Sequence, residues 1–289
     1  MTRPVAVATC AEHPALPAGE RPVLDALRGA GLSAEPAVWD DPAVDWTRFS
    51  AVLIRATWDY HRKPAAFRSW VDRVEASGAV LWNPAPVVRA NLDKGYLRGL
   101  EAAGVSIVPT AWIGRAAPRP LDAVLAERGW DEAVVKPAVS ASAFLTRRAA
   151  RGDPGAQAAL DAALAHSDAL VQPFLPEIAA EGEWSFVFLD GVFSHAVLKV
   201  PARGDFRVQA EHGGSVRRAE PPPELLEQAA GAAALVEGRP LYARVDGVRR
   251  GRSFLLIELE LIEPYLYLDL APGAARLLAL AAARRLAGR

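Results

Sequence analysis

The segment LYARVDGVRRGRSFLLIELELIEP, residues 241–264, decides how this chain folds. Its first half alternates apolar and polar side chains, a glycine follows a basic turn, and its second half is an apolar run interrupted by acids. This pattern predicts a β-hairpin whose second strand is covered by other structure on at least one face. Because side chains alternate along a strand, Glu258 and Glu260 share one face, as do Arg244 and Asp246 on the preceding strand.

The acids of this hairpin predict a binding site for a divalent cation. Buried carboxylates need partners, and two like charges side by side repel each other. Mg²⁺, or Mn²⁺ in its place, prefers a few carboxylates with phosphate oxygens completing its shell. We therefore expect Asp246, Glu258 and Glu260 to bind the metal, with Glu263 in the same acidic cluster and Arg244 holding an anionic group beside it. The alternative is an ordinary hairpin with a solvated polar face.

The same residues resemble the metal-binding end of the ATP-grasp ligases, in which Arg-x-Asp on one strand precedes Glu-x-Asn and a proline on the next. The resemblance implies that Asp246 and Glu258 hold metal ions against the triphosphate of ATP and that Arg244 steadies the developing oxyanion. Glu260 stands where the family usually has Asn. The run ELELIEP, residues 258–264, looks like the subgroup of the cycloserine-forming cyclo-ligase, which also resembles bacterial glutathione synthetase.

Composition narrows the class of protein. The chain has 289 residues, of which 51% are hydrophobic and 23% charged, a globular profile long enough for about two or three packed units. A net charge of −1 argues against a nucleic-acid partner, and the single Cys10 excludes an internal disulfide and a multi-thiolate zinc cluster. No apolar run reaches about 18 residues, so we expect no membrane span or signal peptide. The single cysteine favours a cytoplasmic setting, and we expect a monomer or homodimer.

Strands and helices alternate in the first third of the chain, which predicts βαβ units with a parallel sheet. The apolar runs that predict strands lie at residues 4–10, 34–39, 50–57 and 80–82, and the helices between them at 21–32 and 64–76. Ligands of such sheets collect at the carboxyl ends of the strands. We therefore expect the substrate-binding residues to be Thr9, Arg55, Trp58, Asp59 and Tyr60.

Arg55 is the most specific of these candidates because it follows a fully apolar run. Its guanidinium could bind a substrate carboxylate through two hydrogen bonds, with Asp59 near the substrate ammonium. The alternative interpretation is that this polar segment is loop surface.

Two lysines are candidates for binding phosphate. The segment WNPAPVVRANLDKGYL, residues 82–97, resembles the linker of glutathione synthetase and assigns Lys94, on a helix expected to continue to residue 104, to the nucleotide phosphates. A strand is expected at 105–110. The run VVKPAVSASAF, residues 134–144, predicts a strand ending near Lys136 and a flap of small residues, including Ser142, that closes over phosphates. Relatives have more glycine here, as at Leu145, so the flap should be stiffer.

The resemblance assigns the remaining site residues further along the chain. It implies that the strand ALVQPFL, residues 169–175, forms the adenine hinge, with Gln172, Phe174 and Leu175 around the base, and that Glu183 binds the ribose hydroxyls. Without the resemblance, Glu183 is a surface acid at a strand start. Lys199 and Arg207 belong to a predicted loop rich in hydrogen-bond donors, and the matching segment of relatives faces the acyl phosphate. A loop of this length is usually functional or disordered.

Together the motifs predict an α/β, ATP-grasp fold with an N-terminal parallel-sheet domain (1–88), a linker helix and small lid domain (89–171), and a C-terminal α+β domain (172–289). The expected enzyme is an ADP-forming ligase that activates the carboxylate of a small amino-acid-like substrate as an acyl phosphate for a nitrogen nucleophile. The nitrogen could belong to the same molecule, as when O-ureido-D-serine cyclises to D-cycloserine. Two alternatives stay open: an intermolecular carboxylate–amine ligase, and an inactive nucleotide-binding regulator.

Overall fold

The computed structural model of the protein describes residues 3–202, 208 and 213–288, which form three sheets. The first is the predicted parallel sheet, with strand order β2-β1-β3-β4. Its strands are β1 (Val5–Thr9), β2 (Ala34–Val38), β3 (Ala51–Ala56) and β4 (Val80–Trp82). Its helices are α1 (Arg21–Gly29) and α2 (Pro64–Ala76), each of which begins next to a proline.

The connection between the first two sheets differs from the prediction. Two helices, α3 (Ala85–Asn91) and α4 (Tyr96–Ala102), replace the single expected helix, and Lys94 lies in the break, where its N–H donates to the carbonyl of Ala138. The strand expected at 105–110 is only an isolated bridge between Ile107 and Leu256. The hydroxyl of Thr110 donates to the carbonyl of Val108, a backbone acceptor that a longer strand would use to pair with its neighbour.

The second sheet has strand order β5-β8-β6-β7, and its strand pairs are antiparallel. Its elements are β5 (Ala111–Ile113), α5 (Leu121–Arg128), β6 (Glu132–Pro137), β7 (Arg147–Ala150), α6 (Ala156–His166) and β8 (Ala169–Pro173). Strand β8 crosses the boundary expected at residue 171, and the division into three domains stays our proposal. We refer to residues 111–173 as the lid.

The third sheet has strand order β11-β10-β9-β12-β13 and is antiparallel. Its elements are α7 (Pro176–Ala180), β9 (Glu183–Leu189), β10 (Val192–Val200), β11 (Ser215–Arg218), α8 (Pro223–Ala234), β12 (Tyr242–Arg250), β13 (Ser253–Glu260) and α9 (Ala274–Ala287). The predicted hairpin is β12–β13. Asp190 and Gly191 join β9 to β10 with positive φ values of 54° and 79°, the two-residue turn that matches strand twist.

Asn83 and Tyr242 join the first sheet to the third. The buried amide of Asn83 donates to the carbonyls of Tyr242 and Leu261 and accepts from the N–H of Leu241. The Tyr242 hydroxyl lies within 2.9 Å of the Ile54 carbonyl and 2.7 Å of the Ile262 carbonyl. One apolar core continues across this junction, because residues of β1, β3 and β4 pack with residues of β9, β12 and α9. The edges of two sheets are therefore fixed to each other. None of the described helices has the length and hydropathy needed to cross a bilayer.

Candidate active site

A cavity of about 670 Å³ lies where the three sheets meet. Most of the residues selected from the sequence line it: Trp58, Tyr60, Lys94, Lys136, Ser142, Gln172, Phe174, Leu175, Glu183, Lys199, Arg244, Asp246, Glu258 and Glu260. Three of the selected residues, Thr9, Arg55 and Asp59, do not line it. Arg207 lies outside the described residues.

The hairpin supplies the charged floor of the cavity. Arg244 lies opposite Glu260, and Asp246 lies opposite Glu258, so all four side chains share one face as the alternation predicts. Arg244 donates to both Asp246 oxygens, with an Nη2–Oδ2 distance of 2.8 Å, and also contacts the Glu260 carboxylate. Burial acts to raise the pKa of Asp246, but Arg244 and Lys199 outweigh it and lower that pKa to about 2. Asp246 is therefore ionised at neutral pH.

Glu260, the departure from the family pattern, has the opposite electrostatic character. Its burial, together with the nearby negative charges of Glu258 and Asp246, raises its pKa to about 7, although Arg244 opposes the shift. An Asn at this position would bring no charge. Glu260 therefore gives the floor a carboxyl group that gains or loses a proton near neutral pH.

Lys199 joins two acids on the same sheet. Its ammonium contacts the carboxylate of Glu183, which faces it across the β9–β10 pair, and lies 3.4 Å from Oδ2 of Asp246. Burial acts to lower the pKa of Lys199, but the attraction of Asp246 and Glu183 raises it above its usual range. Lys199 therefore keeps its charge and orients Glu183. Binding of the ribose hydroxyls by Glu183 and of the acyl phosphate by Lys199 stay predictions.

Lys94 reaches the flap from the break between α3 and α4. Its Nζ lies 2.7 Å from the Ser140 carbonyl, 3.1 Å from the Ser140 hydroxyl and 3.0 Å from Oε1 of Glu258. One buried ammonium thus connects the flap to an acid of the floor. Ser140 lies in the predicted flap of small residues, but no motif marked it as the partner of Lys94.

Lys136 is the cavity's unpaired cation among the described residues. It ends β6 as predicted and is buried, yet no described residue accepts a hydrogen bond from its ammonium or forms an ion pair with it. Burial and, to a lesser extent, the repulsion of Lys94 lower the pKa of Lys136 to about 8, although the attraction of Glu258 opposes the shift. A buried lysine without a partner is destabilising until an anion reaches it. Its position therefore suits a phosphate group.

The wall formed by the end of β8 has an apolar and aromatic character. Gln172 donates to the hydroxyl of Thr110, which fixes its side chain, and the guanidinium of Arg148 lies 3.9 Å from the ring centroid of Phe174. The N–H of Phe174 donates to the carbonyl of Glu132, so this donor is used inside the lid sheet and is not available to a base. Gln172, Phe174 and Leu175 thus offer side-chain surfaces for an aromatic base.

The flap has an unusual backbone for its composition. Ser142, Ala143 and Leu145 have positive φ values of 49°, 53° and 54°, a region that glycine adopts without strain and other residues rarely do. Between them, the ring of Phe144 lies 4.9 Å from that of His61 in the first sheet's loop and 5.2 Å from that of His166 in the lid. Aromatic contacts therefore hold the flap against both neighbours.

The predicted three-carboxylate metal site is not assembled, because lysine and arginine side chains pair with its acids. Within residues 3–202, 208 and 213–288, no three acid, histidine or cysteine side chains converge on one metal position. The donor chemistry still fits a hard divalent cation, since Asp246 and Glu258 lie opposite each other and both line the cavity. A metal would need Lys94 to leave Glu258, which a bound phosphate would favour.

Arg55 does not bind substrate in this arrangement, and this corrects the sequence prediction. Its side chain is 0% exposed and forms two 2.9 Å hydrogen bonds with Glu20, itself 1% exposed. Its Nη2, which already donates to Glu20, also lies 2.6 Å from the carbonyl of Pro264. The side chain turns into the junction of the first and third sheets instead of into the cavity, because a buried charge takes the nearest buried counter-charge.

Two neighbouring candidates are also corrected. The hydroxyl of Thr9 is fully buried and donates to the carbonyl of His13. Asp59 accepts from the indole N–H of Trp39 and from Lys63, away from the cavity. Trp58 and Tyr60 do line the cavity, and their part in substrate binding stays a prediction.

The sequence interpretation missed one wall of the cavity. Glu263 was placed in the acidic cluster without a role, and Tyr265 and Tyr267 were not selected, although all three line the cavity. The Tyr-x-Tyr spacing after Pro264 was the available signal, because it places both rings on one side of an extended chain.

Comparison with known proteins agrees with this geometry. Residues 5–83 match the family model for the N-terminal domain of D-cycloserine synthetase DcsG. The cycloserine biosynthesis protein DcsG of Streptomyces lavendulae is 34% identical over 287 residues, which cover 92% of this chain and 93% of that protein. The crystal structure of D-cycloserine synthetase DcsG has a TM-score of 0.86 at 32% identity, covering 98% of this chain and 99% of the other.

A more distant structure shares the fold alone. The D-alanine–D-alanine ligase of Bacillus anthracis complexed with ATP has a TM-score of 0.70 at 13% identity, covering 99% of this chain and 98% of that one. The predicted architecture is confirmed by both levels of similarity. The chain belongs to the ATP-grasp ligases, in the family of D-cycloserine synthetase DcsG.

Proposed function

We propose that this enzyme activates the carboxylate of a small amino-acid-like substrate with ATP and closes a ring by attack of a nitrogen of the same molecule, as in the formation of D-cycloserine from O-ureido-D-serine. The observation that carries the proposal is the buried, unpaired ammonium of Lys136 facing the acids of the hairpin. The similarity over nearly the whole length of DcsG supports the choice of substrate class.

In the first step, an oxygen of the substrate carboxylate attacks the γ-phosphorus of ATP, which gives an acyl phosphate and ADP. Lys94 and Lys136 would hold the phosphates, and the flap would exclude water, so that positioning and electrostatics supply most of the rate enhancement. A divalent cation, Mg²⁺ or Mn²⁺, when held by Asp246 and Glu258, would neutralise charge on the triphosphate.

In the second step, the nitrogen attacks the acyl carbon, phosphate leaves and the nitrogen loses its proton, which closes the ring. With O-ureido-D-serine the ring nitrogen still carries the carbamoyl group, and hydrolysis by water must release that group as carbon dioxide and ammonia to give D-cycloserine. Negative charge develops on the acyl oxygen, and Arg244 is the cation placed to receive it, because Asp246 and the carbonyl of Tyr265 fix its guanidinium. Among the described residues of the cavity, no serine or cysteine lies beside a histidine in the manner of an activated nucleophile. Direct transfer of the γ-phosphoryl group from ATP to the substrate carboxylate requires no such side-chain nucleophile.

The intermolecular alternative keeps the same first step but takes its nitrogen from a second molecule. It is favoured by the shared fold of D-alanine–D-alanine ligase, which is a similarity of fold alone. We further propose a cytoplasmic enzyme, a monomer or homodimer, without a nucleic-acid or membrane partner.

The test is ADP release by the purified protein with Mg²⁺ or Mn²⁺ and a panel of amino and ureido acids. We expect turnover with O-ureido-D-serine, with the cyclic product identified by mass spectrometry. ADP release only when a second amine is added would favour the intermolecular ligase. If none of the compounds of the panel supports ADP release, that result would contradict the proposal and favour a nucleotide-binding regulator.

A further inference from the structure

The wall missed by the sequence interpretation combines one carboxylate with several aromatic rings. Trp58, Tyr60, Tyr265 and Tyr267 all line the cavity beside Glu263. The indole N–H of Trp58 donates to the carbonyl of Glu263, and the Tyr265 ring lies 6.5 Å from that of Trp58 and 5.0 Å from that of Tyr267. The rings are therefore packed against one another around the acid, which limits their rotation.

Glu263 differs from the other buried acids of the cavity in having no cation. Those acids each have one: Arg244 for Asp246 and Glu260, Lys94 for Glu258, and Lys199 for Glu183. The residue is 8% exposed, and no described side chain donates to its carboxylate or forms an ion pair with it. A carboxylate removed from water at this depth is costly unless a counter-charge or donor reaches it.

The surroundings specify what kind of counter-charge fits. Burial, followed by the repulsion of Glu260 and Glu258, raises the pKa of Glu263 well above its ordinary value, so its ionised form is disfavoured unless a cation binds beside it. Aromatic faces attract cations, and the attraction grows when water is excluded. A compact ammonium group satisfies both features, whereas a second anion satisfies neither.

We infer that Glu263 binds the α-ammonium group of the substrate and thereby selects amino acids over other carboxylic acids. The inference rests on the proposed function, because it supplies the second anchor of a substrate whose carboxylate reacts near Arg244. Arg244 and this wall are adjacent, since Nη1 of Arg244 donates to the carbonyl of Tyr265. A zwitterion can therefore place its carboxylate toward the arginine and its ammonium toward Glu263.

The first experiment uses the parent enzyme alone. ADP release is measured with an amino-acid substrate that the panel identifies and with its des-amino analogue. We expect the analogue to have a kcat/KM lower by roughly 10- to 100-fold, the usual consequence of losing a charged hydrogen bond. Equal kcat/KM values for the two compounds would overturn the inference while leaving the proposed ligase activity intact.

The second experiment compares Glu263→Gln with Glu227→Gln, the same change at an exposed glutamate of α8 that does not line the cavity. Glu263→Gln should raise the KM for the amino acid by roughly 10-fold or more and leave the KM for ATP and the rate with the des-amino analogue unchanged. Glu227→Gln should leave all of these constants unchanged. A parent-like KM for the amino acid in Glu263→Gln, or a selective loss of ATP affinity, would show that Glu263 does not hold the ammonium.

Discussion

The unpaired ammonium of Lys136 should make nucleotide affinity fall at alkaline pH. Its pKa is about 8 in the free protein against 10.5 for an ordinary lysine, and a bound phosphate restores the charged form. Below pH 8 the amine already carries its proton, so binding gains nothing further from acidification. Above pH 8 the amine must take up a proton from solvent when the nucleotide binds. Each further pH unit therefore weakens binding about tenfold, or about 1.4 kcal/mol.

The magnitude follows from this difference in pKa. Between about pH 7 and about pH 9.5, the dissociation constant of a non-hydrolysable ATP analogue should rise by roughly 30-fold, or about 2 kcal/mol. Isothermal titration calorimetry measures both the affinity and the proton uptake, the latter by comparing buffers with different ionisation enthalpies. Lys136→Met should bind more weakly at neutral pH, by about 1–3 kcal/mol, because a charge-assisted contact is lost.

Lys136→Arg is the matched control, because a guanidinium stays charged throughout this range. Its affinity should not show the tenfold fall per pH unit between about pH 8 and about pH 9.5, a range above the pKa of Glu260. A parent protein without pH dependence would refute the contact between Lys136 and phosphate. The same slope in Lys136→Arg would assign the titration to another group.

Three further outcomes follow from the site and its supports. Glu258→Gln should reduce ADP production by roughly 100-fold or more with parent-like thermal unfolding, and undiminished turnover would remove Glu258 from the reacting centre. Arg55→Met should lower the free energy of unfolding in urea by about 3–5 kcal/mol without raising the substrate KM. Arg48→Met, which breaks an exposed ion pair, should lower the same free energy by about 1 kcal/mol or less, and similar values for the two variants would refute the structural role of Arg55. Asn83→Ala should destabilise the protein by about 2–5 kcal/mol because it leaves several buried backbone groups unsatisfied, and a parent-like unfolding midpoint would contradict that function.

Local patterns were sufficient to predict much of this fold. The alternation along residues 241–264 placed Arg244, Asp246, Glu258 and Glu260 on one face, and Asp-Gly at 190–191 is a pair typical of the two-residue hairpin turn found there. These features depend on backbone periodicity and turn geometry, which neighbouring residues determine.

The errors have a common physical origin in long-range pairing. The partner of Arg55 is Glu20, 35 residues earlier, and its third contact is the carbonyl of Pro264, 209 residues later. No local pattern distinguishes an arginine that faces solvent or ligand from one that a distant acid will neutralise. The break between α3 and α4 at Lys94 also depends on a distant residue. The backbone N–H of Lys94 donates to the carbonyl of Ala138, in the lid, instead of to a carbonyl of a continuous helix.

The predicted metal ligands illustrate a further limit. Sequence spacing placed the acids correctly on the hairpin, but the identity of their partners depends on which long side chains reach them. Lys94, Lys199 and Arg244 occupy those positions in the structure. Spacing therefore predicted where negative charge is concentrated and not which cation compensates it.

The contacts of Asn83 and Tyr242 constrain the order in which the chain can fold as it leaves the ribosome. Within the part of the chain that the structure describes, the side chain of Asn83 hydrogen-bonds with residues 158 or more positions later, and the core beneath β1 and β3 includes side chains of β12 and α9. The first 83 residues therefore emerge with an apolar surface and buried polar groups that stay unsatisfied until the hairpin has been synthesised. We expect the nascent N-terminal segment to need protection from aggregation until the hairpin and α9 have been synthesised, about 200 residues after Asn83, an interval of roughly 10–40 seconds at ordinary synthesis rates of about 5–20 residues per second.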